Sequence, residues 1–341
     1  MTTDQDPAGQ LLSLPPPRSD EDTLARLVYS HWGLTGSLTR LTSERDLNHR
    51  FDTQSASYTL KLSNPAEPAT MTDFQTRALL RTAAVDPGLP TPRVIPTRGG
   101  SPVATLPEGA LRLLTWCPGT PVAHLPRTPA LAEAIGTALA RLTAALAQFD
   151  HPASDHILLW DIRQFPRLAP LFPALPEDLR PVAEIFLDRF KTRIAPALAK
   201  LPTQIVHADF NPHNLLADPA RPDALTGILD FGDMVRSHRV CDLATACSYQ
   251  IEPESPLRLL APLLAAYHAR LPLTWAETHL LPDLITARML TTLTISAWRA
   301  ARYPANAAYI LRNAPSARAG LAAASGLTPT QIHAACERPS P

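Results

Sequence analysis

Three polar side chains stand within one short β-rich stretch, at points where apolar runs give way to loops. Asp209 follows the run Ile205–His207, Asn214 comes five residues later, and Asp230 follows the next apolar run. A carboxylate can orient and deprotonate an attacking hydroxyl group, and carboxylate and amide oxygens are ligands that magnesium takes alongside water and phosphate. Phosphoryl transfer needs these groups and a cation on the nucleotide phosphates. The residue types and their spacing therefore indicate phosphoryl transfer.

Lys61 can supply that cation. It lies in the run Ser57–Leu62, whose alternation of apolar and polar residues predicts a strand. Only Lys61, Lys191 and Lys200 are lysines among the 31 basic residues, so we infer that a lysine in mid-strand is one that arginine does not replace. A lysine on a strand, then His-x-Asp-x4-Asn, then Asp-Phe-Gly is the order of the protein-kinase signature.

An alternative interpretation makes His207, Asp209 and His213 the metal ligands of a hydrolase. That interpretation leaves Asn214 and the run Asp230–Asp233 unexplained. We therefore expect His207 to be a structural hydrogen-bonding group.

Two motifs carry a family resemblance. His207–Asn214 (HADFNPHN) and Leu229–Asp233 (LDFGD) resemble the phosphotransferase motifs of the aminoglycoside phosphotransferase/choline kinase superfamily, and the resemblance extends over about residues 35–320. It implies a bilobal kinase-like fold that uses ATP and Mg2+. It also implies that Asp242 is structural and ties the helix after the motifs to the catalytic loop.

The same resemblance assigns roles to the residues singled out above. It implies that Asp209 is the catalytic base and that Asn214 and Asp230 bind the metal. It implies that Lys61 holds the α- and β-phosphates, and we expect Asp73, in the helix after the strand, to be the acidic partner of Lys61. The side chain of Asp73 is one methylene group shorter than that of the glutamate that is usual at this position.

The nucleotide loop departs from the protein-kinase pattern, because it contains no glycine between Leu41 and Tyr58. We expect backbone amides and the side chains of Ser43, Asp46 or Asn48 to contact phosphate instead.

Trp116 and Cys117 occupy the predicted hinge, where their backbone groups are candidates for binding adenine. The alternative is that the side chains of both residues contribute only to packing.

Shorter matches resemble the hydroxylysine kinase branch of the superfamily, namely 43–48 (SERDLN), 60–65 (LKLSNP), 151–152 (HP) and 160–162 (WDI). This likeness favours a small cationic acceptor bearing a hydroxyl group. We expect an exposed acid to hold its ammonium group, with Asp161 as the first candidate and Asp233 as the second. A loop or capping role is the alternative for either residue.

The elements that must position these residues form an α+β pattern. Alternating runs and one helix over about 70–83 predict a small antiparallel-sheet lobe, followed by a larger, mainly helical lobe with helices over 178–199, 256–270, 277–302 and 305–324. We expect the Pro-rich segment 170–176 to be a loop. The predicted divisions are a flexible tail over 1–18, a nucleotide-binding lobe over 19–116, a hinge over 117–127 and a catalytic and substrate lobe over 128–338.

Composition narrows the class of protein. The 31 basic and 31 acidic residues balance, so nothing indicates binding to nucleic acid or to an anionic membrane. The chain starts without a signal-peptide pattern, has no apolar run long enough to span a bilayer, and carries four scattered cysteines typical of reduced thiols. We expect a cytoplasmic enzyme whose partner is a small molecule.

The sequence thus predicts an ATP- and Mg2+-dependent kinase acting on a hydroxyl of a small amino alcohol or hydroxylated amino acid. One alternative is an aminoglycoside phosphotransferase, although a large polycation would favour a more acidic cleft than this stretch offers. Another is a catalytically dead kinase-like binding module, against which the presence of Lys61, Asp209, Asn214 and Asp230 argues.

Overall fold

Residues 17–43 and 45–337 are described by the structure, a computed structural model. Most of the predicted tail, Glu44 within the 43–48 match, and residue 338 of the predicted catalytic lobe lie outside the described residues.

The described residues form two compact units. The first comprises the chain up to Pro118 together with His151–Ala153, and the second comprises Gly119–Asp150 and the chain from Ser154 onward. The chain enters the second unit inside the predicted hinge 117–127, because Thr120 and Pro121 already pair with a strand of that unit.

The alternating runs of the first unit form an antiparallel sheet, as their period of two predicts. Its strands are β1 (Ser37–Leu41), β2 (Leu47–Asp52), β3 (Ser57–Leu62), β4 (Val94–Ile95), β5 (Ala104–Leu106) and β6 (Gly109–Thr115). The order is β1-β2-β3-β6-β4, and β5 also pairs with β6. In β3, Leu60 and Leu62 are buried in the core cluster, so Lys61 between them points to the opposite face.

Two helices accompany this sheet. Helix α1 (Glu21–Trp32) begins where the Asp20 carboxylate accepts a hydrogen bond from Thr23 N–H, and it ends at Gly33, whose φ of +72° is favourable for glycine. Helix α2 (Ala69–Val85) extends the predicted helix by one residue at its start and two at its end.

The second unit is mainly helical. Its helices are α3 (Pro129–Leu146), α4 (Arg180–Arg189), α5 (Ala195–Leu198), α6 (Arg239–Ser248), α7 (Leu257–Arg270), α8 (Trp275–Arg302), α9 (Ala307–Ile310), α10 (Ala314–Ser325) and α11 (Pro329–Cys336). Thr128 caps α3 through Leu131 N–H, with proline at the first helical position. Helix α3 packs closely on α7, since a Cβ atom on Gly136 would lie 2.1 Å from the carbonyl oxygen of Leu263.

Two small antiparallel sheets interrupt the helices of this unit. Their strands are β7 (Thr120–Pro121), β8 (Gln204–Val206), β9 (Leu215–Asp218), β10 (Arg221–Ile228) and β11 (Val235–Ser237). The order in one sheet is β10-β9-β7, and β11 pairs with β8 in the other. The loop from β8 to β9 carries Asp209 and Asn214, and the loop after β10 carries Asp230.

Two helical predictions differ from the structure. The predicted helix 305–324 is interrupted after α9, and a new helix starts with Pro315 in its first turn, where proline cannot continue the preceding helix. The predicted loop 170–176 is instead largely part of a 3-10 helix over Ile162–Ala174, whose Leu168 and Phe172 are buried.

The predicted α+β class with a helical second part is confirmed. No helix within residues 17–43 and 45–337 is both long and apolar enough to cross a bilayer.

Candidate active site

The loop after β8 has a strained backbone. Ala208 has a φ of +63°, a conformation that costs roughly 1–2 kcal/mol for a residue other than glycine. The buried carboxylate of Asp242, in the first turn of α6, accepts hydrogen bonds from His207 N–H (3.1 Å) and Ala208 N–H (2.9 Å). The predicted tie between α6 and this loop is confirmed, and it explains how the strained conformation is held.

The imidazole of His207 links this loop to the end of β10. Its Nε2 donates to the carbonyl oxygen of Leu229 at 2.9 Å, and its Nδ1 accepts from Asp209 N–H at 3.3 Å. The ring is fully buried and both nitrogens are used. His207 is therefore a structural hydrogen-bonding group, as predicted, and it holds the Asp209 loop beside the Asp230 loop.

The structure brings Asp209 and Asn214 into direct contact. The side-chain nitrogen of Asn214 donates to Asp209 Oδ2 at 2.7 Å and to the Asp209 carbonyl oxygen at 3.1 Å. The nitrogen end of the Asn214 amide thus orients the Asp209 carboxylate. The oxygen end is the candidate metal ligand.

Arg288 contacts the same carboxylate and was not found by sequence reasoning. Its Nη2 donates to Asp209 Oδ1 at 3.3 Å, its Nη1 donates to the carbonyl oxygen of Trp160 at 2.8 Å, and its guanidinium lies 5.2 Å from the centre of the Trp160 ring. The side chain of Arg288 is only 2% exposed. An arginine inside the apolar centre of α8 was the signal available, since an arginine is almost never fully buried unless paired.

The electrostatics around Asp209 suit proton transfer. Burial raises the pKa of Asp209 above its ordinary value, nearby Asp233 and Asp230 raise it further, and Arg288 opposes them. The Asp209 side chain remains 23% exposed. A carboxylate with a raised pKa that still reaches the surface is a suitable general base.

Asp230 and Asn214 fit a magnesium ion through the chemistry of their donor atoms. Asp230 is exposed, has a φ of +58°, and its Oδ1 accepts from Gly232 N–H at 3.2 Å. The described residues contain no cluster of three or more His, Cys, Asp or Glu side chains able to hold a metal. Magnesium commonly binds through one or two protein oxygens and completes its shell with phosphate and water, which these two residues match.

In the first unit, Lys61 pairs with a different acid from the one predicted. Its Nζ lies 2.8 Å from Asp46 Oδ2, with the side chains 19% and 12% exposed. The predicted pairing with Asp73 is wrong, because Asp73 Oδ2 accepts from Arg77 (2.7 Å) and lies 3.0 Å from His151 Nε2. Helix geometry favours the Arg77 contact, since residues four apart share one helix face.

The remaining nucleotide candidates lie in the first unit. The Ser43 hydroxyl accepts from Asp46 N–H at 3.3 Å, and Asn48 pairs across the sheet with Lys61. The buried Asn48 Oδ1 accepts no hydrogen bond from the residues that the structure describes.

At the end of β6, Trp116 N–H donates to the carbonyl oxygen of Ser57 at 3.2 Å, and the Arg50 guanidinium lies 4.8 Å from the Trp116 ring. Cys117 is buried. Both side chains pack, and adenine binding by their backbone groups stays a prediction.

Asp161 is not the exposed acid that was predicted. It is 3% exposed, and it caps the 3-10 helix by accepting from Arg163 N–H (3.1 Å) and Arg163 Nε (2.7 Å). Its Oδ1 also accepts from the Ser237 hydroxyl at 2.8 Å. The alternative capping role is therefore the correct one, and an acceptor ammonium cannot reach this carboxylate without breaking these bonds.

Comparison with protein-family models gives a match over residues 37–281 to the family described as phosphotransferase enzyme family. Among curated proteins, the chain is similar to hydroxylysine kinase of Bos taurus, with 30% identity over 274 residues. That alignment covers 74% of this chain and 72% of the relative.

Solved structures share the kinase-like fold. A microcompartment-associated aminopropanol kinase superposes with a TM-score of 0.65 at 18% identity, covering 93% of this chain and 99% of the other. Spectinomycin phosphotransferase in complex with ADP and spectinomycin superposes with a TM-score of 0.57 at 11% identity, covering 94% and 98%.

Proposed function

Because the chain belongs to the phosphotransferase enzyme family, we propose that it transfers the γ-phosphoryl group of ATP to the hydroxyl of a small amino alcohol or hydroxylated amino acid. The chain is a small-molecule kinase with an alcohol group as its acceptor. The observation that carries the proposal is the Asp209 carboxylate, which Asn214 and Arg288 orient on a loop fixed by Asp242.

In this mechanism Asp209 acts on the acceptor hydroxyl. Its carboxylate accepts the hydroxyl hydrogen bond, aligns the oxygen, and takes the proton as the new O–P bond forms and the bond between the γ-phosphorus and the ADP oxygen breaks. The raised pKa of Asp209 makes that proton transfer more favourable than it is for an ordinary aspartate.

Two further groups act on the nucleotide. Lys61 places a compact positive charge on the α- and β-phosphates, a role to which its ammonium is suited. Asn214 and Asp230 would hold magnesium, which would neutralise part of the phosphate charge. Asp230 lies exposed on the loop after β10, where His207 fixes the preceding residue.

Asp233 is the acid that favours a cationic acceptor. It is half-buried and close enough to Asp209 to raise the pKa of that carboxyl. An acceptor ammonium beside Asp233 would offset the repulsion among these carboxylates. The likeness to hydroxylysine kinase supports the same class of acceptor.

The proposal is tested by measuring ADP release with a coupled assay. The purified chain is given ATP or GTP with Mg2+ and, in turn, hydroxylysine, amino alcohols, choline, neutral sugars and aminoglycosides. We expect the highest kcat/KM with a small hydroxylated amine or amino acid, and loss of turnover when Mg2+ is chelated. Preference for a neutral sugar or an aminoglycoside would contradict the proposed acceptor.

The variant Asp209→Asn ties that activity to the site. Loss of a general base typically lowers the rate by ~10²–10⁴-fold, so we expect kcat to fall by this order while ADP affinity, measured by calorimetry, stays near that of the unchanged protein. Near-normal kcat in this variant would contradict the assignment of Asp209 as the base.

A further inference from the structure

A row of polar side chains crosses one face of the sheet in the first unit. Asn48 on β2 stands opposite Lys61 on β3, which stands opposite Arg112 on β6. Side chains of directly paired residues lie on the same face of an antiparallel sheet. Lys61 therefore has a polar neighbour on each of the two adjoining strands.

Helix α2 contacts this row through Arg112 and supplies it with neutral groups. The buried Arg112 guanidinium donates to Gln75 Oε1 (3.0 Å) and to the hydroxyls of Thr76 and Ser63 (both 3.3 Å). The single acid of α2, Asp73, is occupied by Arg77 and His151. The helix thus provides hydrogen-bond acceptors for Arg112 and no carboxylate for Lys61.

The acid beside Lys61 comes instead from the turn between β1 and β2. Asp46 Oδ2 lies 2.8 Å from Lys61 Nζ, and Asp46 Oδ1 accepts from Asn64 N–H at 3.2 Å. The Asn64 side chain in turn donates to the carbonyl oxygen of Arg45 at 3.2 Å. Both Asp46 oxygens are used, and the turn is fastened to the chain directly after β3.

Asp46 is held ionised in this setting. Burial raises its pKa, but Lys61, the Asn64 amide and the nearby Arg112 together bring the pKa below its ordinary value. A charged carboxylate at this distance restrains the ammonium of Lys61 through a charge-assisted hydrogen bond.

We propose that Asp46 is the positioning residue for Lys61, in place of a helix acid, and that it couples the turn between β1 and β2 to the lysine that meets the ATP phosphates. The inference rests on the proposed nucleotide role of Lys61. Loss of Asp46 would then disturb both the attachment of residue 46 to Asn64 and the position of the Lys61 ammonium.

Calorimetric titration with MgATP and MgADP tests this without knowledge of the acceptor. We expect Asp46→Asn to weaken MgATP binding by about tenfold or more, since the charge-assisted bond to Lys61 is lost. Asp46→Glu keeps the charge, so its affinity for MgATP should lie between those of Asp46→Asn and the unchanged protein. This variant replaces Asp46→Asn in the test if the asparagine variant does not fold. Asp218→Asn, which removes a partly exposed carboxylate paired with Arg221, is the matched control and should bind MgATP normally.

A double variant distinguishes positioning from general destabilisation. If Asp46 acts through Lys61, Asp46→Asn combined with Lys61→Met should bind MgATP no more weakly than Lys61→Met alone. Unchanged or tighter MgATP binding by Asp46→Asn overturns the inference, as does equal weakening by Asp73→Asn. Normal binding by Lys61→Met would instead show that the proposed nucleotide role of Lys61 is wrong.

Discussion

At the scale of single residues, the Asp209 carboxylate depends on one buried cation. Two neighbouring acids and burial all favour its neutral form, and Arg288 is the positive charge beside it. Although burial lowers the pKa of Arg288, Tyr249 and Asp209 raise it above its ordinary value, so the guanidinium stays charged. We infer that Arg288 favours the ionised form of Asp209 and fixes the direction of its carboxylate.

We therefore predict that Arg288→Met lowers kcat by about 10–100-fold, because a hydrogen bond to a charged group contributes ~1.5–3 kcal/mol. The Trp160 carbonyl also loses a partner, so the melting temperature should fall. Steady-state kinetics and thermal unfolding provide the measurement.

Arg302→Met, at the exposed end of the same helix, is the control and should leave both quantities nearly unchanged. A normal kcat in the Arg288 variant would show that Asn214 suffices to orient Asp209.

At the scale of elements, α6 holds the loop that carries Asp209 in its strained form. The left-handed conformation of Ala208 is unfavourable, and two hydrogen bonds to one carboxylate on the helix offset its cost. Strained backbone persists where the surrounding structure over-determines it, and here α6 provides that constraint. We therefore infer that Asp242 contributes both to the stability of the fold and to the geometry of the Asp209 loop.

Asp242→Asn tests this coupling, because the amide keeps one acceptor oxygen but turns an NH2 group toward a backbone N–H. We expect the free energy of unfolding in urea to fall by about 1–3 kcal/mol, and kcat to fall with it as the loop relaxes. Asp218→Asn, on an exposed turn, should change the free energy of unfolding by no more than about 0.5 kcal/mol. A stable Asp242 variant with normal kcat would refute the coupling.

At the scale of the whole molecule, all four cysteines are buried as free thiols, divided between the two units. Burial raises the pKa of Cys117 to about 11 and that of Cys336 to about 12, and it raises those of Cys241 and Cys247 well above the ordinary value. Each thiol is thus shielded from reagents by burial, and its raised pKa keeps it in the less reactive protonated form.

This burial predicts very slow reaction of the native protein with a thiol-reactive dye such as dithionitrobenzoate at pH 8. With a pKa of about 11, roughly one Cys117 thiol in a thousand is ionised at that pH, and the thiolate is the reactive form. In denaturant all four thiols should react promptly. A fast reacting thiol in the native protein would contradict the burial described for that residue.

The amino-acid sequence by itself determined the fold class, the family and the local elements of the site. Alternation along β3 placed Lys61 on the face opposite Leu60, and the loop between β8 and β9 placed Asp209 near Asn214. These features follow from neighbours a few residues apart, where strand periodicity and loop length restrict the geometry.

Only the tertiary structure decided which charged and polar groups meet. Arg288 reaches Asp209 across 79 residues of sequence, Ser237 reaches Asp161 across 76, and Asp46 rather than Asp73 reaches Lys61. A residue pattern assigns a side chain to a face, but the partner on that face comes from another element. A buried charge is costly unless it is paired, and the packing of the elements determines which partner lies within reach. The pairing of buried charges is therefore decided by the tertiary structure.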